Sequence, residues 1–382
     1  MKENWCNQTG KGSFIARCPL TGREVSGEDY RGFRYPSTKT ESSLVATAPS
    51  IEVCPFCVGN EKSQLPELTR LVNSPMNLDD VVFTDFMMPH LLSQVWVARA
   101  FPNLYKNNNL IQSRSLEAHR ERYIGHALGR EHINSLLNKL KMKGIQVDED
   151  YFFDFGHILI VGTPDHPSSG LNNPNGIILE DIQSALELLT AVHVRKLAYE
   201  SDEKLFGFIY RNLGRSAAAT QPHEHLQMRC YKYNQIPKKL NDQLTTFRHN
   251  PTLMNEIVAF AKNQQWIIYE SDDVVGFTVP WEEFPGAWLV YTGENPFLSE
   301  VHKKDILGFS NALQFVLRKL ITLGETSINF GIFDTIPHTE LQIPIHAKIV
   351  TRRKIRGSTD IFIGPEKHFI NPKQLAEMIK DA

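Results

Sequence analysis

Apolar and polar positions along this chain follow two periods, and the order in which those periods occur sets the expected fold. Strand-like runs appear at VWVARAF (95–101) and FGHILIVGT (155–163), with a helical pattern between them at 117–143. A second helix is expected over about 178–200, where Ile178, Ile182, Ala185, Leu189, Val192 and Leu197 recur at helical spacing. The strand LFGFIYRN (205–212), a loop of small residues, NLGRSAAAT (212–220), and a further strand within QPHEHLQMRC (221–230) follow. The second half shows the same order. Strand signals occur at WIIYES (266–271), VVGFTVP (274–280) and AWLVYT (287–292). A helix follows at about 302–322, with Ile306, Phe309, Leu313, Val316, Leu317 and Leu320 on one side, then the strands SINFGIFDT (327–335) and IPIHAKIVT (343–351). Positions 158 and 223 are 65 residues apart, and positions 287 and 346 are 59 apart. That recurrence suggests an internal duplication.

The expected fold is α+β, with mostly antiparallel sheets and crossing helices in two tandem units, 1–240 and 250–382. The linker is expected near KKLNDQLTTFRHNPTL (238–253), and residues 1–50, rich in Gly, Ser, Thr and Pro, as an ordered but irregular arm. A length of 382 residues suits two domains.

Charge narrows the function. The net charge is −2, and no basic block is longer than RRK (352–354), which argues against nucleic acid as the main partner. No apolar run reaches the roughly 18–20 residues of a membrane helix. MKENWCNQTGKGS at the start lacks the apolar core of a signal peptide, so the cytoplasm is the expected compartment. Five cysteines, an odd number spread over a long chain, do not resemble a disulfide framework.

In an extended strand His223, His225 and Gln227 share one face, and Glu224, Leu226 and Met228 the other. Two histidines on one face can be polar packing residues. They can also carry chemistry, since a neutral imidazole is a good nucleophile near pH 7. It can attack an activated α-phosphate and hold the nucleotide as a phosphoramidate. The loop amides around Gly214–Thr220, with Arg215, can receive phosphate oxygens. Gln227 bears on the reaction type, because an amide binds a phosphoryl oxygen but shuttles no proton at neutral pH. Water as acceptor needs that shuttle, whereas phosphate-like anions do not. The pattern favours transfer between phosphates over hydrolysis. CPFC (54–57) is half of a metal knuckle: a tetrahedral zinc needs two more ligands, and no second C-x-x-C exists. His166 and His223 are the candidates, and a pair of reduced or redox-active thiols is the other reading.

Six separated segments together resemble the galactose-1-phosphate uridylyltransferase family of the histidine-triad superfamily, over nearly the whole chain. They are PLTG (19–22) with Arg31 and Arg34 after it, CPFCVGNE (54–61), FPNLY (101–105), TPDH (163–166), NLGRSAAATQPHEHLQ (212–227) and FINPKQLAEMI (369–379). The resemblance implies that His225 is the nucleophile carrying the nucleotidyl group, with Gln227 beside it. It implies that His223 binds zinc with Cys54, Cys57 and His166. Arg31, Arg34, Asn212, Gly214 and Thr220 would lie at the phosphates, Asn60 at the substrate, and Phe101 and Asn103 at base or ribose. It further implies a homodimer acting on a nucleotide sugar and a sugar-1-phosphate, by transfer of a UMP-like group.

The departures are local. Leu104 stands where the family has an Asp, and Lys348 stands where a second His-x-His metal pair would end, so that accessory site is not expected. TDIFIGPEKHFIN (359–371) does not reproduce the hexose-contacting segment. Galactose is therefore not expected to be strongly preferred. A nucleotide-sugar or dinucleoside-polyphosphate phosphorylase using inorganic phosphate is an alternative. A zinc-containing nucleotide-binding protein without turnover is another.

Overall fold

The computed structural model describes residues 5–8, 14–22, 24–27, 54–72, 80–91, 96–104, 111–162, 181–200, 205–214, 217–219, 223, 225–282, 286–325, 327–335, 343–352, 366–368 and 371–382. The N-terminal arm supplies β1 (Cys6–Gln8), β2 (Phe14–Arg17) and β3 (Glu24–Gly27). The strands β4 (Thr69–Leu71), β5 (Phe83–Asp85) and β6 (Ala98–Pro102) precede α1 (Arg114–Gly125) and α2 (Ala127–Met142). Then come β7 (His157–Val161), α3 (Asp181–Tyr199), β8 (Leu205–Leu213) and β9 (Leu226–Lys232). Two helices, α4 (Lys238–His249) and α5 (Leu253–Asn263), lead to β10 (Ile267–Glu270), β11 (Val274–Val279) and β12 (Gly286–Tyr291). The chain closes with α6 (Lys303–Thr322), β13 (Ile328–Phe333), β14 (His346–Thr351), β15 (Glu366–His368) and α7 (Pro372–Asp381).

Eleven strands form one antiparallel sheet in the order β10-β11-β12-β14-β13-β8-β9-β7-β6-β4-β5. The order β4-β6-β7-β9-β8 on one side is mirrored by β10-β11-β12-β14-β13 on the other. The two sets meet where β8 pairs antiparallel with β13, with Tyr210 opposite Gly331 and Asn212 opposite Asn329. The long helices α3 and α6 pack side by side across one sheet face, and Gln314 donates to the Ser184 hydroxyl between them at 2.6 Å. Their apolar stripes and alternate strand residues such as Ile160, Met228, Ile332 and Ala347 make the main core. A smaller sheet, β1-β2-β3-β15, joins the C-terminal segment to the N-terminal arm.

The segment expected as a linker is helical. In α4 Leu240, Leu244 and Phe247 turn inward with Met254 and Ile257 of α5, forming a second core on Phe277, Trp288 and Val290. Their spacing is that of an amphipathic helix, which the polar composition of the stretch obscured. The single helix expected at 117–143 is two helices, because His126 is extended (φ −84°, ψ 134°) and ends α1. The arm expected to be irregular contains three short strands.

Candidate active site

The C-x-x-C segment folds as a tight turn. The Cys57 and Asn60 backbone amides bond back to the Cys54 and Cys57 carbonyls, and the Asn60 side-chain amide donates to the Cys54 carbonyl at 2.8 Å. Gly59 carries the left-handed backbone this turn requires (φ +90°). Both thiols point at one ring nitrogen of His223, with Sγ to Nδ1 distances of 3.4 Å for Cys54 and 3.5 Å for Cys57. Two tetrahedral ligands with zinc bond lengths of about 2.3 Å (sulfur) and about 2.05 Å (nitrogen) lie about 3.6 Å apart. The three buried donors therefore fit a metal with that geometry. The remaining expected ligand, His166, lies outside the described residues.

Strand β9 begins at Leu226, and the chain leading into it carries the buried His223 and His225. Leu226 and Met228 enter the main core. His225 is 8% exposed. Its Nδ1 donates to the His223 carbonyl at 2.8 Å, and a carbonyl only accepts, so the proton sits on Nδ1 and the lone pair on Nε2. Burial holds this imidazole well below its ordinary value, at about 4, opposed by the bond to the His223 carbonyl and aided by the Arg211 charge. The ring is neutral at pH 7. Phe56, the aromatic residue inside the knuckle, packs edge-on against both His223 (5.7 Å) and His225 (5.2 Å).

Two buried clamps hold the backbone here. Glu187 of α3 accepts from the Leu226 amide at 2.9 Å and from Arg211 of β8, whose Nε reaches the His225 carbonyl at 3.3 Å. Gly162 leaves room for Glu187, since a Cβ there would stand 2.6 Å from the Glu187 Cβ. On the other side Glu67 takes both Arg70 and Arg99, and Arg99 donates to the Phe56 carbonyl at 3.2 Å.

Beside His225 runs a chain of polar side chains across four strands. Asn103 Nδ2 lies 3.3 Å from His157 Nδ1, and His157 Nε2 lies 3.0 Å from Gln227 Oε1. Tyr210 donates its hydroxyl to the same oxygen at 2.9 Å. With its oxygen held by two donors, Gln227 presents its NH₂ to His225 Nε2, 3.5 Å away. A fixed amide donor beside an unprotonated nitrogen suits a group that brings an electrophilic centre and an anionic oxygen together.

Asn103 and Gln227 are thus brought to His225. Asn60 belongs to the knuckle. Asn212 accepts from Asn329 at 2.8 Å, next to Gly214, whose positive φ (+75°) opens the small-residue loop. Phe101 is 0% exposed, enclosed with Phe56, Trp96 and Leu159, and Arg99 stacks on its ring at 4.8 Å. Arg31, Arg34, Thr220 and His166 lie outside the described residues. Sequence reasoning passed over His157, Tyr210, Glu187 and Arg211. A signal existed for His157 and Tyr210, since both interrupt apolar strands on the face that carries Gln227.

No curated protein matches the chain by sequence. Among solved structures it resembles an ADP-glucose phosphorylase from Arabidopsis thaliana with bound ADP-glucose, at 18% identity and a TM-score of 0.64 over 98% of this chain and 99% of that one. A GalT-like protein from Arabidopsis thaliana matches at 18% identity and a TM-score of 0.62, over 96% and 98% of the two chains. A uridylyltransferase mutant matches at 14% and 0.58, over 96% of each. At these identities the likeness is one of fold, shared with the ADP-glucose phosphorylase, GalT-like and uridylyltransferase structures. A family model described as a domain of unknown function, DUF4921, matches residues 11–313, most of the length, and the chain belongs to that family.

Proposed function

We propose that this protein is a nucleotidyltransferase that carries a nucleoside monophosphate on His225 and passes it to a phosphate-type acceptor. The observation that supports the reading most is the state of His225. Its Nδ1 is fixed on a carbonyl, and its Nε2 faces the Gln227 amide at 3.5 Å. In the first step Nε2 attacks the α-phosphorus of a nucleotide sugar, the N–P bond forms, and the bond to the leaving sugar-1-phosphate breaks. In the second an acceptor oxygen attacks the same phosphorus and the N–P bond breaks. Both partners are already anions, so neither step needs a proton shuttle. Gln227 binds a phosphoryl oxygen, and Asn212 and the loop from Gly214 to Thr220, with Arg31 and Arg34, receive the rest of the phosphates.

Cys54, Cys57, His223 and His166 would hold a structural zinc, a closed site that fastens the knuckle to the strand bearing the nucleophile and takes no part in the reaction. Residues 1–240 form the catalytic unit and 250–382 its repeat, and the active molecule is a homodimer. Two acceptors divide the reading: a sugar-1-phosphate gives a uridylyltransferase-like enzyme, and inorganic phosphate gives a phosphorylase. The likeness to a structure named for ADP-glucose phosphorylase favours the second. No helix among the described residues is long and apolar enough to cross a membrane.

The test is intact mass after mixing the protein with UDP-glucose, ADP-glucose and GDP-mannose in turn, with an alkaline quench to keep the phosphoramidate. A gain of one nucleoside monophosphate, mapped to His225 and missing from His225→Gly, is the expected result and names the base. No gain with any donor, or the same gain on the variant, refutes the reading.

A further inference from the structure

The second half repeats the catalytic strand with its chemistry altered. By strand order His346 stands where His225 does, and Lys348 where Gln227 does. Tyr210 faces Gln227 and Gly331 faces Lys348 on the neighbouring strands. The imidazole is anchored in the same way, with His346 Nδ1 bonded to the Pro344 carbonyl at 2.7 Å. Its other nitrogen, however, is buried with no hydrogen-bond partner among the described residues. The ring is sealed under Phe333, stacked at 5.1 Å, and against Trp288 and Phe247. It can reach no substrate.

Lys348 is different, because it lines a cavity of about 460 Å³. That volume falls in the range of small-ligand sites. The ammonium bonds Gln243 at 3.1 Å and lies over the rings of Trp288 (4.6 Å) and Phe333 (5.0 Å). No carboxylate forms an ion pair with it among the described residues, and it is 9% exposed. A lysine is rarely buried so without a partner, because the charged form gives up its hydration. Burial does lower its proton affinity, against the pull of Glu282. Among the described residues the lining also holds Lys239, Glu282 and Arg352, the last donating to Asn329 at 2.6 Å. One wall is aromatic: Phe208 stacks on Tyr210 (5.5 Å, 12°) and leans on Phe333 (4.9 Å). A Cβ on Gly331 would stand 2.4 Å from the Phe208 ring, so glycine there is what lets the wall form.

We propose that this cavity is a second ligand site, which takes a phosphate monoester of a sugar or nucleoside with its phosphate on Lys348 and its organic part on the Phe208–Tyr210–Phe333 wall. Tyr210 belongs both to this wall and to the bonds that hold Gln227, so a ligand here also touches a group that orients the catalytic amide. The cavity is lined from both halves, by Phe208, Tyr210 and Asn212 of β8 and by Phe333 and Lys348, and a ligand there does not require His225 to be the nucleophile.

Pyridoxal 5′-phosphate supplies the probe, being a phosphate monoester with an aldehyde. The amine of Lys348 condenses with it to an imine with loss of water, borohydride reduces the imine to a stable secondary amine, and peptide mapping locates the label. Lys348 is expected to be labelled at neutral pH in both the wild-type protein and His225→Gly. Saturating glucose-1-phosphate or AMP should each be tried as protectant, and at least one should cut labelling at Lys348 tenfold or more, with inorganic phosphate protecting less. The better protectant tells a sugar from a nucleoside. An unlabelled Lys348, labelling that no ester suppresses, or equal protection by inorganic phosphate would each overturn the proposal. Protection that persists in His225→Gly while no nucleotidyl adduct ever forms would leave this site standing and remove only the proposed transfer.

Discussion

Single side chains decide what this site can bind. The Gln227 carbonyl oxygen is held by Tyr210 and His157, which leaves the NH₂ as the group turned to His225. Gln227→Glu keeps the shape and places a carboxylate where a phosphoryl oxygen would lie. Adduct formation in single-turnover mass measurements should fall about 10²–10³-fold, the usual cost of losing one oriented donor to a developing oxyanion. A rate within threefold of the wild type would mean that this amide does not meet the phosphate. Lys348 gives a prediction of the opposite sign for stability. Its folded pKa is depressed below the unfolded 10.5, so the unfolded chain binds the extra proton below that pH and the charge destabilises the fold at pH 7. Lys348→Met should raise Tm by several degrees at neutral pH, and the gain should shrink as pH approaches 10.5. Scanning calorimetry at both pH values checks it.

Elements bring these residues together from far apart in sequence, and this is where sequence reading stopped. The alternation at His223, His225 and Gln227 was legible because a strand's period is local. The Cys54–Cys57 pair was legible for the same reason. His157 and Tyr210 gained meaning only through register, which sets Leu159 and Tyr210 on either side of Gln227. Glu187 sits inside an ordinary amphipathic helix, and nothing local marks it as the clamp on Leu226. The helices α4 and α5 were missed because charged and amide residues cover their outer faces. Gly162→Ala tests the clamp. The new methyl would press on Glu187, and overpacking of this kind costs about 1–3 kcal/mol. Urea unfolding should show that loss, and the His225 adduct should form more slowly because α3 no longer fixes the Leu226 amide. The knuckle gives a second test at this scale. If it holds zinc, a strong chelator should remove about one metal per chain, lower Tm and reduce adduct yield, and added zinc should restore both. Unchanged melting after metal removal would exclude a structural role.

Across the whole molecule, buried histidines make stability depend on acidity. His346 and His119 are both held near 3 by burial, with Lys348 adding to the effect on the first and Arg122 on the second. Their folded pKa values lie below the unfolded 6.5, so the unfolded chain takes up protons first as pH falls. Each should remove up to about 1.4 kcal/mol of stability per pH unit between 6.5 and 3. Both ring nitrogens of His119 are buried without hydrogen-bond partners among the described residues, so His119→Phe sacrifices no bond there. Urea midpoints measured at pH 7 and pH 5 should lie closer together in that variant than in the wild type.

The seam at β8 and β13 bears on how this molecule can be taken apart. Five residue pairs, from Ile328–Leu213 to Ile332–Ile209, cross it, and it lies in mid-sheet, flanked by the neighbouring strands β9 and β14. Cutting the chain near residue 245 would not free two self-sufficient pieces. Each fragment would carry a long, apolar, unguarded edge whose ladder bonds had lost their acceptors, the kind of surface that templates aggregation. The strand that caps each edge in the intact molecule belongs to the complementary fragment. Co-expressed fragments are therefore the form in which a split version of this protein would stay in solution, and either piece alone would precipitate.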